Sequence, residues 1–388
     1  MKKILSIIVL SIFVVPFVGI GGVAIAALIP AMSGVAYMGL IPVVQGQNLF
    51  TSNLIGVYKE KVSVSGFLSS FFTKKESFTK YLNIAVSRGL ESVAVDVNRY
   101  SDGNRNTFSV ETQKEFLPPF YDEYLTANEH KLYDTVIAML ANGDTTFFAQ
   151  MTQELAENVM KLQQKIERAI EIQCSQIFET GVITLLNGDD IDFKRKAASI
   201  VAYNVANDFS VGTVSPYKVL EAGCDFIRTK GKVGTGTFNA ILGSEALTAL
   251  LENTIVQNRN DIKDFSLDMI SEPQRNSEGA ALHGVLSCGS YKVRLWTYPQ
   301  NYDNASAVST PYINPKKVVL LPEQTDFILG FAAVPQLINE AGGIPQKGAY
   351  LVQDFRDEKR GSHEIHVKSA PLPIPLAIDT IYTVAVLN

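Results

Sequence analysis

Residues that carry chemistry are scarce in this chain. Its 388 residues include three cysteines, four histidines and one tryptophan, and only 19% are charged. Cys174, Cys224 and Cys288 are far apart and form no CxxC pair, which excludes a zinc knuckle and a thioredoxin-type motif. An odd, scattered set of thiols reads as buried free cysteines in a reducing compartment. His363 and His366 in SHEIHVKS are neighbours, but a spacing of three on a strand turns them to opposite faces and denies them a shared metal. No HExxH or GxSxG occurs, and KGKVGTGTF fails as a phosphate loop because Val233 follows its Gly-Lys. Gly234-Thr235-Gly236 reads instead as a loop where backbones pack closely, and Asp122-Glu123 as ordinary solvated carboxylates. No catalytic residue, metal ligand or cofactor is assigned, and the chain reads as a non-enzyme. The net charge of −5, with lysines and arginines scattered, gives no face for nucleic acid or lipid headgroups.

Charge is missing altogether between Lys3 and Lys59. The run from Ile4 to Ile29 is long enough to cross a bilayer, which takes roughly 20 apolar residues. Three readings stand: an export or anchoring segment, an apolar arm buried against neighbouring subunits, or a true start further in, at Met32 or Met38.

Beyond it the chain patterns as a folded protein with a large core. SVAVDVNRY and TFSVET alternate around SDGNRN, and alternation about Asp102-Gly103 predicts a hairpin. Ser92, Asp96 and Asn98 make one face of its first strand polar, so it projects from the body. LPPFYDEYL breaks all periodicity and reads as a connector. A helix follows from about Thr145 to Thr180. Its apolar stripe is Met151, Leu155, Val159, Leu162, Ile166, Ile170, Cys174 and Ile177, with Glu154, Glu157, Lys161, Lys165 and Arg168 left to solvent. Gly181 is placed to end it.

In LLNGDDIDFKRK the carboxylates Asp189, Asp190 and Asp192 lack the spacing and distal glutamate of a calcium loop, while Asn187-Gly188 supplies turn residues. The stretch reads as a hairpin. Helices and strands then alternate: a helix carrying Val219, Ala222 and Phe226, a buried strand FNAILG, a helix SEALTALLEN capped by Ser244, and strands GSYKVRLWTY, KKVVLLP and IYTVAVLN.

Four stretches, in order, resemble the lambda-type major head proteins (phage capsid protein E) of tailed bacteriophages. They are GFLSSFFTKKESFTKYLNIAVSRGL, LQQKIERAIEIQCSQIFETGVITLLNGDDIDFKRK with its Asp192-Phe193, FNAILGSEALTALLEN, and HVKSAPLPIPLAIDTIYTVAVLN. The resemblance runs from about Gly66 to the C-terminus. It implies an α+β capsid fold with an N-terminal arm, an E-loop hairpin, a P (peripheral) domain on a long spine helix, and an A (axial) domain. The divisions it suggests are an apolar segment over 1–60, the start of the body over 61–83, the E-loop over 84–116, the P domain over 117–215, and the A domain with a return strand over 216–388. It also implies a virion protein made in the host cytoplasm. Hexamers and pentamers of it would form an icosahedral shell around double-stranded DNA, with scaffold, portal and decoration proteins as partners. Arg88, Glu91, Asp96, Arg99 and Asp102 are then the candidate subunit contacts. The uncharged N-terminus departs from the family. It supports a competing reading, an exported or membrane-anchored α/β binding protein, and an encapsulin-like compartment shares the fold.

Overall fold

The computed structural model describes residues 66–86, 112–128, 147–185, 190–260, 269–304, 306, 308–337, 343–357 and 362–388. The apolar N-terminal run lies outside them. No helix among the described residues is long and apolar enough to cross a membrane.

One helix, Phe147–Glu179, dominates the architecture. Its 33 residues, each rising 1.5 Å, make it about 50 Å long. Val159, Leu162, Ile166, Ile170, Cys174 and Ile177 recur at steps of three and four, and all are buried. It stops at Gly181, which adopts φ +76° and donates its N–H to the carbonyls of Gln176 (3.1 Å) and Ile177 (3.0 Å). Only glycine takes that left-handed turn without strain.

A seven-stranded mixed sheet forms the second principal element, in the order Ile200–Val201, Tyr382–Ala385, Lys317–Pro322, Thr237–Leu242, Tyr291–Thr297, Ala281–Cys288, Met269–Arg275. Lys317–Pro322 reads as an almost unbroken apolar run, KVVLLP, because both its faces are covered. Side chains alternate across a strand, so neighbours in sequence enter different cores. Val318 and Leu320 join Phe238, Ala240 and Leu242 in one core, against the helix Pro216–Lys230. Val319, Leu321 and Ile241 join the spine helix in the other.

The spine-helix core also takes two three-stranded sheets. In one, Thr73–Glu76 runs parallel to Phe327–Phe331, which pairs antiparallel with Pro371–Pro375. Prolines at 371, 373 and 375 remove N–H groups from one side of that strand only, which suits its place at the sheet edge. In the other, Ser362–Ser369 lies between Leu351–Asp357 and Tyr121–Asn128.

Several sequence expectations are corrected. The supposed connector LPPFYDEYL is irregular only as far as Phe120, since Tyr121–Asn128 is an eight-residue strand. The helix SEALTALLEN begins at Ser244 with Gly243 as its N-cap and no side-chain cap. The buried side of Pro216–Lys230 is Val219, Leu220, Gly223, Cys224 and Ile227, while Ala222 is exposed. A Cβ on Gly234 or Gly236 would meet nothing within 4 Å, so close backbone packing is not what those glycines serve. All three cysteines are buried and free, as the sequence suggests.

Candidate functional site

The places of interest are those where the chain leaves the body and those where its parts are tied together. Leu82–Val86 and Thr112–Phe116 pair antiparallel, from Leu82 opposite Phe116 to Val86 opposite Thr112. That ladder is the root of the expected projecting hairpin. Leu82 faces Gly330, where a Cβ would come within 2.6 Å of its Cδ1, and the Phe116 ring packs 5.4 Å from that of Phe193. The five candidate contacts Arg88, Glu91, Asp96, Arg99 and Asp102 lie outside the described residues.

The spine helix carries a second stripe, polar and inward, that the sequence reading missed. Gln163, Glu167, Glu171, Ser175 and Glu179 recur every fourth residue, which keeps them on one side of the helix. Three of them hold distant pieces of chain. Gln163 donates to Glu167 at 2.8 Å, one turn further along the helix. Glu171 accepts from the backbone N–H of Leu68 (2.7 Å) and Ser69 (3.1 Å), and from the Tyr298 hydroxyl. The Ser175 hydroxyl donates to the Tyr312 carbonyl. Glu179 accepts from the Asn314 N–H (2.7 Å) and from the Lys317 ammonium (3.0 Å).

Burial sets the electrostatics of this stripe. It pushes the Glu167 carboxyl from 4.5 up to about 7, with the Lys74 charge pulling the other way. Burial raises Glu171 too, against the pull of its hydrogen bonds. The only sequence signal was four-residue spacing, because every partner except Gln163 comes from a distant segment.

Arg195 is a second knot. Its guanidinium donates to the Phe178 carbonyl (2.8 Å), to Ser199 Oγ and O (2.8 and 2.9 Å), to the Ile381 carbonyl (3.0 Å) and to Thr383 Oγ1 (2.9 Å). Burial lowers its pKa from 12.5 to about 9, which leaves it charged at neutral pH. The stretch LLNGDDIDFKRK is a hairpin leading into this knot: Val182–Thr184 pairs antiparallel with Asp190–Asp192. Residues 186–189, which include Asp189, lie outside the described residues. Asp192 accepts from the backbone N–H and the ammonium of Lys194, both at 2.7 Å. Among the described residues, no group of three His, Cys, Asp or Glu could hold a metal ion.

His363 and His366 both sit on the strand Ser362–Ser369. His366 bonds Asp122 at 2.7 Å and stacks on Tyr124 with ring centroids 5.0 Å apart. Glu123 meets Lys165 at 3.0 Å. Asp122-Glu123, expected to be simply solvated, thus engages the sheet on one side and the spine helix on the other.

A spine helix, a hairpin root beside it and a mixed sheet behind it are what the sequence resemblance led one to expect. The family described as phage major capsid protein E matches residues 104–386. The chain belongs to that family. No curated protein matches this capsid subunit. Among solved structures, a prophage protein of E. coli CFT073 assigned as a capsid protein superposes with a TM-score of 0.58 at 15% identity, over 87% of this chain and 98% of that one. A phage-related protein from Bordetella bronchiseptica RB50 gives 0.48 at 11%, over 86% and 96%. The fold of the subunit is the α+β fold of tailed-phage capsid proteins. Family membership sets aside the exported binding protein, whose support was the N-terminal run.

Proposed function

We propose that copies of this subunit, as hexamers and pentamers, close into an icosahedral shell around double-stranded DNA. The observation that carries this reading is the family match over residues 104–386. The role that follows is structural rather than enzymatic. The first core, with the spine helix, would be the P domain, and it also takes in the strands from Phe327 to Pro375, which the resemblance had assigned to the A domain over 216–388. The second, around Pro216–Lys230, would be the A domain, and residues 84–116 the E-loop. A two-stranded ribbon is marginal alone in water, so a hairpin rooted at Leu82–Val86 gains from lying across a neighbour. Charges such as Arg88, Glu91, Asp96, Arg99 and Asp102 would then be rim contacts, each contributing about 0–1 kcal/mol. Scaffold, portal and decoration proteins would join during assembly in the host cytoplasm.

The test is negative-stain microscopy of the full chain beside a chain begun at Met38, with nuclease-protected nucleic acid measured in particles from infected cells. Uniform round shells that protect DNA are expected. Soluble monomers from both chains would overturn the reading, and shells filled with protein cargo would replace DNA packaging with a compartment.

A further inference from the structure

Nine large hydrophobic side chains are exposed among the described residues, and four of them bracket the hairpin root: Phe78 (68% exposed), Tyr81 (45%), Leu117 (51%) and Phe120 (52%). Their placement follows from the register. Leu82 and Phe116 are paired and turn inward, so Tyr81 and Leu117, one step further along each chain, turn outward. An outward position is ordinarily polar, yet here both are apolar. Phe78 precedes this pair and Phe120 follows it. Phe78 is held in place by its neighbours, since Ser77 N–H donates to the Phe331 carbonyl (2.8 Å) and Ala333 N–H to the Thr79 carbonyl (3.0 Å). Two lysines dress the rings: Lys347 lies 5.3 Å above Phe78 and Lys80 lies 5.7 Å from Tyr81. Tyr124 and Leu125 follow Phe120 on the next strand, whereas Ile200, Val205 and Val308 lie far from the hairpin root in sequence.

We infer that this collar of Phe78, Tyr81, Leu117 and Phe120 is covered by a second copy of the same chain. The inference rests on the shell reading above and deepens it, placing an apolar contact at the base of the hairpin rather than along its polar length. Three observations support a second copy. The ribbon Leu82–Val86/Thr112–Phe116 has no third strand among the described residues, so the ladder beside these four side chains has no neighbour of its own chain along its edges there. Half of roughly 200 Å² for each of four large side chains gives about 400 Å² of apolar surface, within the size range of a monomer's largest exposed apolar patch, which is often a functional one. A stable contact buries about 800 Å² per partner with an apolar centre and a polar rim, so the collar has the size of such a centre. A chain that assembles with itself has that partner at hand in every neighbour.

The experiment places the photo-crosslinker p-benzoylphenylalanine at position 78 or 120 of the full chain, irradiates assembled material, and reads denaturing gels. Covalent dimers of the chain are expected. Irradiated shells that yield only monomer would overturn the collar and leave the shell reading standing. No shells and no dimers would overturn both, and a crosslink only to a different protein would overturn the second copy as occupant. A paired Leu117→Ser, Phe120→Ser variant should keep the thermal melt of the wild-type subunit and raise the concentration needed for assembly at least tenfold. Assembly at the wild-type concentration would count against the collar.

Discussion

The carboxylate of Glu171 holds the backbone N–H of Leu68, 103 residues earlier in the chain, at 2.7 Å. With Ser69 N–H on its other oxygen it caps, from a distance, the one-turn 3-10 helix Ser69–Phe71. A Cβ at Gly66 would fall 2.4 Å from the same carboxylate, so glycine there lets the chain pass. Glu171→Ala strands two buried donors and the Tyr298 hydroxyl, and is expected to cost about 3 kcal/mol in denaturant unfolding. A loss below 0.5 kcal/mol would show that water replaces the carboxylate.

Glu167 predicts a pH dependence. Burial puts its folded-state value near 7, above its ordinary 4.5, while Lys74 and Arg168 pull down and Gln163 bonds it. A carboxyl raised on folding adds stability that is complete at acid pH, below about 4.5. That stability is lost as pH rises through about 7. Glu167→Gln should therefore flatten the fall in unfolding free energy between these limits. Solvent screening at this half-buried site reduces the difference to about 1 kcal/mol. Identical pH profiles for the two proteins would contradict the assignment.

Arg195 makes five hydrogen bonds to carbonyls and hydroxyls from three segments. Lysine keeps the charge but offers three donors from a single point, and cannot span them. Arg195→Lys is expected to lose about 3 kcal/mol of stability by chemical denaturation.

Two glycines should behave oppositely. A Cβ on Gly243 would lie 2.3 Å from the backbone carbonyl oxygens of Asn314 and Pro315, so Gly243→Ala must shift main chain and should cost about 2 kcal/mol or more. Gly234→Ala, with open space around it, should stay within about 0.5 kcal/mol. Equal melting temperatures for the two variants would refute the packing argument.

Burial raises the Cys174 and Cys224 thiols above their ordinary range. The reactive thiolate is thus both rare and inaccessible. A thiol reagent should label none of the three cysteines within minutes in the folded subunit and all of them in guanidinium.

The spine helix was legible in the sequence because its apolar stripe repeats over many turns and Gly181 closes it. The strand Asp190–Asp192 was legible from the alternation of Ile191 and Phe193 with Asp192, while the expected turn at Asn187-Gly188 lies outside the described residues. Tyr121–Asn128 was not: two prolines precede it, and one of its faces carries Asp122 and Tyr124, so neither alternation nor composition marks a strand. What makes it one is pairing with Ser362–Ser369, more than two hundred residues later. The polar stripe on the spine helix was hidden for the same reason. Glu167 and Glu171 resemble any surface glutamate until Lys74, Leu68 and Tyr298 are brought to them.

The seven-stranded sheet has a consequence for how this subunit tolerates change. Along Lys317–Pro322, the even positions Val318 and Leu320 belong to one core, and the odd positions Val319 and Leu321 to the other. The strand is therefore a double keyboard. A substitution on one set of keys retunes the body around Pro216–Lys230, and the adjacent key retunes the body around the spine helix. The two halves share a backbone, so neither can slide without the other, but their interiors can drift independently.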